Sequence, residues 1–244
     1  MTTTPTRTDT CVVAVTGTSD SRVRVTSSGG PFRVVTLATG RGVGGGVARV
    51  ALVPTRALLL AGDAVEVDCE VGDGLTLQVQ ETSGTVAYDM RGGSASWSFA
   101  ARVGVRSRLV LDTLPWVSSE GSQVTRSTTV DLGASATLLA RETLVLGRSG
   151  ERPGALESRT TITRGGRPLL VEELRSDHLA PQRVLDSVLA VGTCREPPAG
   201  SPSPLRLETG DRLWRRLGRE AHETAAALDP VWTALHRAAQ SSVR

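Results

Sequence analysis

Between residues 12 and 193 apolar and polar positions alternate in short runs, among them "RVRVTSS", "FRVVTLA", "VARVALV", "AVEVDCEV", "LTLQVQE", "SWSFAARV", "ATLLARETLVLG" and "PLLVEEL". A period of two is the signature of strands with one buried face. In "AVEVDCEV" the residues Val65, Val67, Cys69 and Val71 share one face, and Glu66, Asp68 and Glu70 share the other. Turn residues such as Gly62-Asp63, Gly72-Asp73-Gly74, Gly92-Gly93 and Gly165-Gly166 separate the runs. The expectation is a mainly β protein, either a flattened β-helix or a stacked antiparallel body, spanning residues 1–195.

The stretch "EPPAGSPSP", residues 196–204, has four prolines and no apolar period, so it reads as a linker. Beyond it the spacing changes. Leu213, Trp214, Leu217, Ala221, Ala225 and Leu228 fall at helical intervals, and Asp229-Pro230 has the chemistry of an N-cap and first helical residue. Residues 205–244 are therefore expected to form a short helical pair, the second helix carrying Trp232 and Leu235. Its apolar stripe is read first as docking on the chain's own β body. A groove on a partner is the other reading, and it makes Trp214, Leu217, Trp232 and Leu235 the candidate partner-binding residues.

Composition narrows the chemistry. The 244 residues are 39% hydrophobic, with aromatics at only 3%, so the core must be aliphatic. All 28 basic residues are arginine, and the absence of lysine removes a P-loop lysine and Schiff-base chemistry. The arginines are scattered among acids and lack aromatic interleaving, which argues against nucleic-acid binding. Three distant cysteines, Cys11, Cys69 and Cys194, do not make a disulfide framework. With no leader pattern at the N-terminus and "ALLLA" as the longest aliphatic run, no membrane association is expected and the location is read as cytoplasmic.

Several apparent motifs fail their context. "GRGVGG", residues 40–45, is followed by a strand-like run and not by a helix, so it reads as a glycine-rich turn. Asp177-His178 has no nucleophile elbow beside it, and His222 and His236 have no second ligand one helical turn away. Two strands contain a carboxylate where alternation calls for an apolar residue. Glu142 shares a face with Leu138, Ala140, Leu144 and Leu146, and Glu173 follows Leu169 and Val171. A buried carboxylate needs a buried ion pair, an exit to water, or a polar cavity.

The segments "LDTLPWVSSEGSQ" (111–123), "ETLVLGRSGERPG" (142–154) and "GGRPLLVEELR" (165–175) resemble, in order and spacing, the UreD (UreH) family of urease accessory proteins, as does the earlier "AGDAVEVDCEVGDGLTLQVQET" (61–82). The resemblance covers roughly residues 54–193. It implies a flattened helical β body with helices near the C-terminus and no enzymatic activity. It also implies partners: a UreF-like protein, through it a UreG-like GTPase, and apo-urease, to which nickel is delivered through a polar passage. No cofactor is then tightly bound, and Ni2+ is transient. On this reading Glu142 is the first candidate for lining the passage and Glu173 the second, with Gln78, Gln80 and Thr82 beside them. The family-motif turn comprises Leu114, Pro115, Trp116, Glu120, Gly147, Arg148, Gly150, Glu151 and Gly154, shaped by its glycines, with Arg148 and Glu151 either fixing it or meeting a partner.

Two rivals remain at this point. A β-solenoid hydrolase acting on a polymer would use a carboxylate pair among Glu81, Asp112, Glu142 and Glu173, set about 5 to 10 Å apart in an open groove. Sugar-stacking aromatics are scarce, since the chain has one tyrosine, two phenylalanines and four tryptophans. An interaction module unrelated to nickel would keep the β body and lose the internal polar passage.

Overall fold

The computed structural model describes residues 7–17, 23–42, 45–193 and 196–240. Cys194, Val43 and Gly44, which figure in the sequence reading, lie outside the described residues. The fold is mainly β: two sheets face each other, and one helix covers the outside of the larger.

The first sheet has the order β14 (Arg167–Arg175), β13 (Ala155–Arg164), β11 (Gln123–Leu132), β8 (Ala95–Val103), β5 (Asp63–Val71), β1 (Arg7–Gly17) and β2 (Val23–Ser28). The second runs β16 (Leu205–Arg206), β17 (Arg212–Gly218), β15 (Val184–Val191), β12 (Thr137–Leu146), β9 (Arg108–Asp112), β6 (Thr76–Glu81), β4 (Gly45–Pro54) and β3 (Phe32–Gly42). Short strands β7 (Thr85–Ala87) and β10 (Trp116–Ser118) pair beside β12.

From β5 to β13 the chain passes alternately from one sheet to the other, and each strand pairs in parallel with the strand one coil earlier. This is the flattened β-helix of the two architectures expected; antiparallel pairing is confined to the flanks, at β1–β2, β13–β14, β3–β4 and β12–β15–β17–β16. Parallel pairing stacks like positions of successive coils. Val67, Phe99 and Thr128 are consecutive neighbours across β5, β8 and β11, and such rows from both sheets interdigitate as the aliphatic core.

The helical pair is not what forms. Leu213, Trp214 and Leu217 lie on strand β17, and a single helix, α1 (Ala221–Gln240), runs through Pro230. Strand β17 has both faces covered near its start: Leu213 packs into the core between the sheets, and Trp214, fully buried, packs under α1 with Val110, Leu139, Val188, Leu228, Val231, Trp232 and Leu235. A strand buried on both sides loses its period of two, which is why its spacing mimics a helix. Asp229 is mid-helix and bonds to Arg141 of β12 at 2.6 Å, so tertiary contacts override the stop signal at Pro230. Residues 196–204 contain neither strand nor helix.

Candidate functional site

The candidate site is a belt of polar side chains crossing the otherwise aliphatic space between the sheets. On the second sheet Glu142, Ser187 and Arg215 are neighbours across β12, β15 and β17. On the first sheet Arg126 and Ser158 are neighbours across β11 and β13, and Thr128, Thr160 and Glu172 form the adjoining row. The sheets meet through ion pairs. Arg126 Nη1 lies 2.5 Å from Glu142 Oε1 and donates to Ser158 Oγ at 3.2 Å. Arg215 grips Glu172 with two nitrogens, the Nη2–Oε2 bond being 2.8 Å, and its Nε donates to Ser187 Oγ at 3.1 Å.

Two cavities flank this belt. One, of about 80 Å³, is lined by Glu81, Arg126 and Glu142 together with Trp97, Phe99 and Trp116. The other, of about 60 Å³, is lined by Glu142, Glu172, Ser187 and Arg215 together with Ile162 and Leu189. They share Leu111, Thr128, Ala140 and Glu142. Three polar atoms in the walls, Arg126 Nε, Trp116 Nε1 and Thr128 Oγ1, are buried without a hydrogen-bond partner in the protein. Such atoms are ordinarily met by water.

Electrostatics distinguish Glu81. Burial pushes its carboxyl up to about 7, opposed by the Leu114 N–H that it accepts at 2.8 Å and by the nearby Arg126 guanidinium, and reinforced by the charges of Asp112 and Glu142. The thiols are quiet. Burial raises Cys11 to about 11 and Cys69 further still, so both stay protonated. Among the described residues no group of three or more His, Cys, Asp or Glu side chains is placed to hold a metal.

The sequence-predicted residues divide. Glu142 faces the core and both cavities, as its alternation requires. Glu173 does not: it points outward, with 59% of its side chain exposed, pairs with Arg159, and is held below the usual carboxylate range by that hydrogen bond. Its neighbour Glu172 takes the inward place, because β14 pairs Thr160 with Glu172 and Ile162 with Leu170. Both Leu169 and Leu170 are apolar, so the run does not declare its phase, and a slip of one residue exchanges the faces. Gln78 and Gln80 are also displaced from the cavities. They share the outer face of the second sheet with their neighbours Val110 and Asp112, on the side that α1 covers. Thr82 is exposed, its hydroxyl donating to the Leu52 carbonyl at 3.2 Å. Glu81, named above only as a carboxylate of the hydrolase rival, is the residue of this strand that lines a cavity, and it shares a face with Leu77 and Val79. Arg126 was legible by the same rule, standing between Val124 and Val130 in an alternating run.

The motif residues come together at one end of the coil. Gly147 N and Gly154 N both donate to the Ser118 carbonyl, at 2.6 and 3.2 Å. Glu151 accepts from the backbone of Arg148 and of Glu120 and pairs with the Arg148 guanidinium, which holds its carboxyl down at about 2. Arg152 grips Glu120 in return. Trp116 is buried between β12 and β7, and Leu114 and Pro115 before it are exposed. Gly147 and Gly150 have left-handed backbones, with φ of 78° and 79°. The turn is thus a joint cross-braced between residues 31 and 32 positions apart, its backbone N–H groups and arginines turned to the chain's own carbonyls and carboxylates.

Other features resolve without chemistry. "GRGVGG" includes the end of a hairpin in which Gly42 pairs with Gly45. Asp177 and His178 sit exposed in a 3-10 turn, Asp177 bonded to Arg175. His236 stacks on Trp232 with ring centroids 5.0 Å apart.

A family model described as "UreD urease accessory protein" matches residues 10–243. The chain belongs to the UreD family. It is 43% identical over 169 residues to urease accessory protein UreD 1 of Streptomyces griseus, covering 66% of this chain and 65% of that protein. It is 35% identical over 202 residues to UreD of Streptomyces coelicolor, covering 77% and 78%. To UreD 2 of Saccharopolyspora erythraea it is 35% identical over 157 residues, covering 63% of this chain and 53% of that one. The chain therefore spans somewhat less than two thirds of two of these relatives.

The geometry also bears on the hydrolase rival. Of its four carboxylates, Asp112 lies on the outer face of the second sheet and Glu173 outside the first, leaving Glu81 and Glu142 in a cavity of about 80 Å³. A polymer needs an open groove. No helix among the described residues is long and apolar enough to cross a membrane.

Proposed function

We propose that this chain is a non-catalytic urease accessory protein that acts with a UreF-like protein and a UreG-like GTPase to deliver nickel to apo-urease, the ion travelling along the polar belt between the sheets. The observation that carries this reading is the pair of cavities that meet at Glu142. Both are walled mainly by apolar side chains and present carboxylate and hydroxyl oxygens; the unpartnered Thr128 hydroxyl lines both, and the unpartnered Arg126 and Trp116 N–H groups line the first, each suited to ordered water. Oxygen ligands, few at any one point, suit passage of a hydrated divalent ion better than its retention. Nickel is cargo here and not a resident cofactor. The family membership supports the accessory role, and cytoplasmic action accords with the protonated, unpaired thiols of Cys11 and Cys69.

The test is urease nickel content and activity in cells that carry the chain, that lack it, or that carry Glu142→Leu. Deletion is expected to leave urease nickel-poor, wild type to restore it, and a folded Glu142→Leu chain that still binds its partner to fail. Urease fully loaded with nickel in the deleted cells overturns the reading.

A further inference from the structure

Each inward carboxylate that bonds across the belt is held by an arginine from the opposite sheet. Arg126 of the first sheet meets Glu142 of the second, and Arg215 of the second meets Glu172 of the first. All four side chains are mostly buried: Arg126 is 10% exposed, Glu142 26%, and Glu172 and Arg215 20% each. Serines steady both guanidinium groups, Ser158 for Arg126 and Ser187 for Arg215. The pairs therefore stand in the cavity walls at the places where a passing cation would meet its ligands. The cavities also have unmet polar atoms. Arg126 Nε and Trp116 Nε1 are buried N–H donors without a protein partner, and the residues that bear them are 9% and 5% exposed. A buried donor left unmet is costly, which makes water their occupant.

A cation approaching Glu142 or Glu172 must compete with a guanidinium already bound. At equal distance a divalent ion attracts a carboxylate twice as strongly as a guanidinium does, but it surrenders far more hydration in order to arrive. The arginine cannot leave, because its backbone is fixed in a central or flanking strand, and it returns as soon as the ion moves on.

We propose that Arg126 and Arg215 are tethered counter-cations of the inter-sheet cavities: they occupy the cation positions of Glu142 and Glu172 when no divalent ion is there, and they weaken its binding so that it passes. The idea deepens the passage reading given above and rests on it for its purpose, though the binding it predicts is measured without urease.

The test is equilibrium dialysis of the full chain against Ni2+ at neutral pH. Wild type is compared with Arg126→Leu, Arg215→Gln, the charge-retaining Arg126→Lys, and the doubles Arg126→Leu/Glu142→Gln and Arg215→Gln/Glu172→Gln. Removing either arginine is expected to tighten Ni2+ binding about tenfold or more, as the ion then faces an uncompensated carboxylate. Arg126→Lys is expected to stay near wild type, and each double to lose the gain. Ni2+ should also raise the melting temperature of the single arginine variants more than that of wild type. The two arginines are independent tests, so a folding failure at Arg126 leaves Arg215 to decide. Unchanged Ni2+ affinity in a folded arginine variant, or a gain that survives removal of the partner carboxylate, overturns the proposal. Nickel-loaded urease in deleted cells would refute the accessory reading and leave this binding result standing.

Discussion

The residue that departs furthest from its ordinary chemistry is Glu81. Its folded value of about 7 lies above the 4.5 of a free side chain, so the fold favours the neutral acid. Its contribution to stability is complete below about pH 4.5 and is lost as pH rises through 7. Glu81→Gln cannot ionise. Urea titrations across pH 4.5 to 8 should find it more stable than wild type at pH 8 by up to ~3 kcal/mol, with the gap closing towards acid. Equal pH dependence in the two proteins would refute the assignment. Gly154 is constrained by space: a Cβ there would lie 2.3 Å from the Ser119 carbonyl oxygen and 2.2 Å from Ser122 Oγ. Gly154→Ala must push backbone apart in the braced joint, and a loss of about 2 kcal/mol or more is expected by chemical denaturation. Glu142 was legible as an inward carboxylate because Leu138, Ala140, Leu144 and Leu146 keep its face apolar on both sides, while Arg141 and Thr143 mark the opposite face. Glu172 was not, since two adjacent leucines leave the phase of its strand open.

At the scale of elements, α1 is seated on the outer face of the second sheet by an apolar cluster that includes Trp214 and Trp232, by the Arg108 guanidinium donating to the Ala239 carbonyl at 3.3 Å, and by an ion pair with Arg141. Arg141 of β12 bridges Asp186 of β15, whose side chain is fully buried, and Asp229 of α1, 58% exposed. Asp186 also accepts from the Thr143 hydroxyl at 3.1 Å. The two carboxylates make opposite predictions. Asp186→Ala leaves a mostly buried guanidinium without its inner partner and should cost about 3–5 kcal/mol, whereas Asp229→Ala removes an exposed partner and should cost under ~1 kcal/mol. Equal losses would contradict this division. This seating also explains why Trp214, Trp232 and Leu235 are not a free partner surface: each is buried in the chain's own packing, and of the four candidates only Leu217 is exposed, at 52%. Of the apolar stripe, Leu213, Trp214 and Leu228 are buried in the chain's own packing and Leu217 is not, and the packed pieces are a strand and one helix.

Across the whole molecule, the alternation of strands between two sheets brings side chains far apart in sequence to one belt. Arg126, Glu142, Glu172 and Arg215 come from four strands of two sheets, and no local spacing joins them. The amino-acid sequence by itself determined the β character, the placing of turns, the inward carboxylate at 142 and the family, because these rest on periods of two, glycine punctuation and motif order within short spans. The tertiary structure alone decided the parallel coiling, the face of Glu172 and of the two glutamines, and the strand at Arg212–Gly218. The physical reasons differ. The parallel coiling joins strands about thirty residues apart, which no local period encodes. At Glu172, on the first sheet, the adjacent Leu169 and Leu170 leave the phase open. On the second sheet α1 covers the outer face of β12, β15 and β17, so an apolar residue on either side is stabilised, and the pattern within one strand cannot say which face meets which layer.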